Sequence, residues 1–133
     1  MRIKNLLAMT TTAFLMGLAV APSAFATQTS IGGTLPADGG TYHYATLRTK
    51  ATAGAITLRL DNDTSGWTWL WLRNSASATL SEENGWYTPS SSHVAFVKYM
   101  SGGSTIYPAG QQFKFSGCMG SGTDTYWSGL LTY

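Results

Sequence analysis

Residues 67–72 read Trp67-Thr68-Trp69-Leu70-Trp71-Leu72. Side chains of an extended chain alternate between faces, so the three tryptophans share one face and Thr68, Leu70 and Leu72 share the other. Bulk on both faces marks a strand covered on both sides. The first reading is a central strand with at least one of the tryptophans in the core. The competing reading turns the leucines inward and leaves an aromatic ladder outside. Such a ladder would exceed the apolar patch that most monomers expose. Its flat rings suit the apolar faces of sugars, and indole N–H groups can bond hydroxyls. A self-association surface is the third reading.

On either side of this strand the chain repeats the same grammar of short alternating runs cut by turns, with no helical period of useful length. Strands are predicted over residues 42–49, 55–60, 76–82, 93–100, 104–107, 111–116 and 125–133, with a short one near 30–35. In the run 55–60, Ile56, Leu58 and Leu60 share a face. Asn84-Gly85 reads as the tip of a hairpin with 86–88 as its return strand, because both residues tolerate the positive φ of a type I′ turn. Asp38-Gly39-Gly40, Ser101-Gly102-Gly103 and Pro108-Ala109-Gly110 are further turn signals, and residues 117–124 read as a glycine-rich loop. About eight short strands spaced ~8–12 residues apart predict an all-β fold, a small antiparallel β-sandwich or small barrel. There is no internal repeat and no Cys…Trp…Cys pattern of an immunoglobulin domain.

The start of the chain has a different character. Arg2 and Lys4 precede an apolar run over residues 6–20, Pro22 breaks it, and Ala24-Phe25-Ala26 places small residues where a signal peptidase reads them. This is the pattern of a cleaved secretory signal peptide over residues 1–26. A run of ~15 apolar residues is short for a spanning helix, which needs ~20, so no membrane span is expected after cleavage. Residues 27–40, rich in Gly, Thr and Ser, read as a flexible lead-in. Residues 41–133 read as a single β-domain.

Cleavage would also change the charge. The whole chain carries eight basic and six acidic residues. Losing Arg2 and Lys4 leaves six of each, and no run of like charge, which argues against nucleic acid as a partner. Cys118 is the only cysteine. It cannot form an internal disulfide and rules out multi-cysteine zinc sites. An inert, partly buried thiol is expected of it.

Candidate chemistry is sparse. Asp61-Asn62-Asp63-Thr64-Ser65-Gly66 looks like the first half of a calcium loop, but the position that needs a bidentate glutamate is Leu72. Asp61 and Asp63 are therefore weak metal candidates, and a polar turn is the simpler reading. His43 and His93 sit in strand-like runs, where hydrogen-bonded structural histidines are expected. Glu82 and Glu83, as neighbours in a strand end, would point to opposite sides, which is no arrangement for paired-carboxylate glycoside hydrolysis. The expected protein is small, secreted, bacterial and non-catalytic, with no cofactor. Its aromatics would bind carbohydrate or cell-wall polysaccharide, the candidate residues being Trp67, Trp69, Trp71, Trp86, Tyr87 and Trp127, with Tyr99 and Tyr107 as further surface aromatics. The alternative is an extracellular structural or protein-interaction module, such as an inhibitor or coat component.

Overall fold

The computed structural model describes residues 26–37, 39–62, 64, 66–86, 89, 92–120 and 122–133. The expected signal peptide over residues 1–26 lies outside them but for its last residue. The described chain is all-β, without a helix, in nine strands and two antiparallel sheets. One sheet has the order β1 (Gln28–Leu35), β9 (Thr125–Thr132), β4 (Thr57–Leu60), β7 (Val94–Ala95). The other runs β2 (Tyr42–His43), β8 (Gln112–Met119), β5 (Thr68–Arg73), β6 (Asn84–Trp86), with β3 (Arg48–Thr49) also on β8.

The long strands β8 and β9 lie inside different sheets, so the chain passes from one layer to the other after Met119 and before Thr125. Their apolar faces meet in a shared, sandwich-like core. Phe113 and Phe115 alternate inward from β8, Trp127 and Leu131 from β9, and Ile56, Leu58 and Leu60 come from β4 and the residues leading into it, all at 2% exposure or less. Phe115 is the junction. Its ring meets Phe96 edge-on at 5.7 Å, Phe113 at 6.2 Å and Trp127 at 6.0 Å. Aromatic pairs favour such tilted and edge-on geometries over face-to-face stacking.

Several expected elements are redrawn. Residues 28–35 are no loose lead-in: β1 pairs with β9 over its whole length, from Gln28 opposite Thr132 to Leu35 opposite Thr125. The predicted strand 42–49 splits into β2 and β3, both on β8. Residues 76–82 form no strand. Asn74 closes a turn there by accepting from Ser77 N and Ala78 N, and Ser77 takes a φ of 69°. Residues 104–107 contribute only a bridge from Tyr107 to Gly54. The predicted loop 117–124 begins later than expected, because β8 continues to Met119.

One polar chain ties the sheets. Trp127 Nε1 donates to Tyr44 Oη at 2.7 Å, and Tyr44 Oη donates to the Thr34 carbonyl at 3.2 Å. Burial pushes the Tyr44 hydroxyl up to about 12, against a smaller downward pull from the Trp127 N–H and a smaller upward push from Tyr42. Burial also pushes the Tyr107 hydroxyl up. A phenol whose pKa is higher folded than unfolded holds its proton longer in the native state. Its stabilisation is complete below about pH 10 and is lost as pH rises toward about 12. Melting temperature should therefore fall across that window, and Tyr44→Phe should flatten the fall while lowering stability at neutral pH. A wild-type melting temperature that stays level from pH 9 to 11.5 would contradict this.

Candidate functional site

The orientation of β5 follows from where the glycines are. Thr68, Leu70 and Leu72 face inward, fully buried, opposite Met119, Gly117 and Phe115 of β8. A Cβ at Gly117 would stand 2.7 Å from Leu70 Cδ2 and 3.1 Å from Leu35 Cδ2. The interior is thus filled at leucine size and has no space for indoles there. Outside, the neighbours of Trp69 are stripped of side chains. Gly85 of β6 lies directly opposite it, and Gly120 follows β8 on the other flank. A Cβ at Gly85 would come within 3.0 Å of Trp69 Nε1, and one at Gly120 within 2.8 Å of Trp69 Cζ3. The indole therefore spans the sheet from one glycine to the other. Trp67, 50% exposed, stacks on it with ring centres 6.1 Å apart and planes 26° apart. Trp69 and Trp71 are half-buried. The expectation of a tryptophan from this strand in the core is therefore corrected: the leucines hold the core and the indole row faces out.

At the Trp71 end the row opens into a cavity of about 520 Å³ lined by Trp71, Thr79, Ser81, Glu82, Glu83 and Tyr99. Glu82 and Glu83 do not point to opposite sides as expected of strand neighbours. They precede β6, and both line this cavity. Ser81 Oγ accepts from Leu72 N at 2.8 Å and donates to the Glu82 carbonyl at 2.9 Å. Glu82 N donates to Val97 O at 2.8 Å. These bonds anchor the segment carrying the two carboxylates to β5 and to the chain around Val97. Tyr99, 55% exposed, supplies a second aromatic wall.

The β8 side of the face is polar. Cys118 stands opposite Trp69, and Ser116 opposite Trp71. His43 Nδ1 and Ser116 Oγ share a hydrogen bond at 2.8 Å. Ser116 is fully buried, so this serine–histidine pair holds β2 on β8 and does not present a hydroxyl to a substrate. Burial, and to a lesser degree the Glu83 carboxylate, push the Cys118 thiol up. That keeps it protonated and a poor nucleophile. Cys118→Ser should shift the unfolding free energy by about 1 kcal/mol or less, read from the urea midpoint.

No known protein family, curated protein or solved structure matches this chain.

The remaining candidates fall away from this face. Trp86 and Trp127 are 5% and 1% exposed. Both are core residues, Trp86 against Phe96 and Trp127 against Phe115, and neither lies on the tryptophan face. Tyr107 is likewise buried, its hydroxyl bonded to the Phe96 carbonyl at 3.0 Å. Tyr87 and Asp63 lie outside the described residues. Asp61 pairs with Arg59 at 2.8 Å, and no group of three His, Cys, Asp or Glu side chains suited to a metal ion occurs among the described residues. Asn84-Gly85 is not a hairpin tip but the start of β6. Its glycine serves the Trp69 ring, not a positive φ. Sequence reasoning missed Thr79 and Gly120, set Glu82 and Glu83 aside, and read Gly85 as a turn residue. For the glycines no local signal existed, because the indole that needs their space belongs to another strand.

Proposed function

We propose that this chain is an exported, non-catalytic binding protein that takes carbohydrate, in particular cell-wall polysaccharide, on the tryptophan face of its second sheet. The observation that carries this reading is the outward row Trp67, Trp69 and Trp71 running into a cavity. A row of partly exposed indoles on an outer sheet face suits the apolar face of a pyranose. A cavity alongside, lined by hydroxyls and carboxylates, suits a sugar better than the flat apolar patch of a protein interface would. Glycines that let an indole lie across neighbouring strands are a structural expense with no return for the core.

The test is a pull-down of the protein on insoluble polysaccharides and purified cell walls, with Trp67→Ala, Trp69→Ala, Trp71→Ala and Gly120→Ala beside the parent. Gly120→Ala is the sharpest variant. Its backbone is compatible with alanine, but the added methyl must push the Trp69 ring aside. It should weaken binding by about tenfold, equivalent to ~1.4 kcal/mol, with little change in melting temperature. Binding unchanged in all four variants would dismiss the reading.

One observation favours the alternative of a structural or protein-interaction module. Strand β1 ends its sheet, is eight residues long and has neither charge nor proline, the features that usually protect an edge from another chain. It belongs to the other sheet from the tryptophans. An association that survives Trp69→Ala and is lost on placing lysine at Ser30 would establish that alternative.

A further inference from the structure

Building on the polysaccharide reading, we propose that the cavity beside Trp71 accepts a sugar unit carrying a protonated amine, so that the preferred glycan contains free amino sugars. The walls supply what an ammonium group needs and a neutral ring does not. Trp71 and Tyr99 line it with aromatic rings, whose negative quadrupole attracts cations. Glu82 and Glu83 offer two carboxylates, both exposed. Among the described residues no lysine or arginine lines the cavity or lies within ion-pairing distance of either carboxylate, the one ion pair being Arg59 with Asp61. Two cations stand next to lining residues in register, Arg73 bridging Thr79 and Lys98 bridging Ser81, but neither lines the cavity. Arg73 is buried, donating to Ser77 Oγ at 2.8 Å and the Tyr44 carbonyl at 3.1 Å. Lys114 stands opposite Arg73 on β8.

A concave site with charge of one sign focuses potential and concentrates ligands of the opposite sign. A neutral hydroxyl can bond one carboxylate oxygen, but only a cation gains from the summed charge of two. The cavity is continuous with the indole row through Trp71, so a chain stacked on Trp67 and Trp69 would deliver its next unit to Glu82 and Glu83. Thr79 adds a hydroxyl to the same wall. Because N-acetylation removes the charge, the site distinguishes a glucosamine unit from its N-acetylated form by electrostatics, not by shape.

The experiment is calorimetric titration of the protein with a soluble β-1,4-glucosamine oligomer, its fully N-acetylated counterpart and a glucose oligomer of equal length, at pH 6 in low and high salt. The wild type should bind the amino oligomer at least tenfold more tightly than either neutral one, and added salt should erode that preference. The double variant Glu82→Gln, Glu83→Gln should bring the affinity for the amino oligomer down to that for the neutral ones, with melting temperature kept. Trp69→Ala should weaken all three oligomers together. Equal affinity for charged and neutral oligomers would overturn the ammonium assignment, while the polysaccharide reading would stand as long as Trp69→Ala weakened binding. A preference that persists in the double glutamine variant would also overturn it. Binding of free choline without any binding of the amino oligomer would overturn the amino-sugar assignment and the polysaccharide reading together.

Discussion

Trp127→Ala should cost the fold about 3–5 kcal/mol, the range for truncating a buried tryptophan, a large share of the ~5–15 kcal/mol that holds a domain of this size together. Trp127 lies on the inner face of β9, 1% exposed. Its ring meets Phe115 at 6.0 Å and Tyr44 at 5.8 Å. Removing it leaves a void where both sheets meet and deprives Tyr44 Oη of the N–H it accepts at 2.7 Å. Trp69→Ala removes an equally large side chain from the outer face, with no core partner lost, and should cost about 1 kcal/mol or less. Urea unfolding of the two variants side by side measures the contrast. Equal losses would mean that β5 has its tryptophans turned the other way.

Gly129→Ala should cost about 3 kcal/mol, at the upper end of overpacking, although it adds a single methyl. Gly129 sits in the middle of β9, between Ile31 of β1 and Leu60 of β4. A Cβ there would collide with the Arg59 carbonyl oxygen and come within 3.0 Å of Leu58 Cδ1. A side chain can swing away from such a contact, but a backbone carbonyl inside a sheet cannot do so without separating β4 from β9. The urea midpoint should fall sharply at unchanged slope. A change of less than 1 kcal/mol would mean that the β4–β9 register differs from the one described.

These two positions show what the sequence could and could not convey. Strand identity was legible where alternation was strong, as in Ile56, Leu58 and Leu60 or Phe113 and Phe115, because period two needs no knowledge of the partner strand. The hand of β5 was not legible. Tryptophan and leucine are both apolar, and the choice between faces was made by glycines far away in sequence: Gly117, which tightens the interior, and Gly85 and Gly120, which clear the surface. Asn84-Gly85 was misread for the same reason, since local turn chemistry cannot compete with an indole that needs the space. Trp86 and Trp127 were candidates for the surface because isolated aromatics carry no periodicity to place them. Glu82 and Glu83 were placed on opposite sides by a strand rule, and they lie just outside the strand.

The five tryptophans offer their own probes of the account. In a nitrogen–proton correlation spectrum each indole N–H gives one signal, assigned by single substitution. Titrated with a soluble fragment of whichever polysaccharide the protein retains, the signals of Trp67, Trp69 and Trp71 should move in step with saturation, and those of Trp86 and Trp127 should stay in place. Movement of Trp86 or Trp127 with the other three unchanged, or saturable binding that moves none of the five, would contradict a ligand site on the tryptophan face.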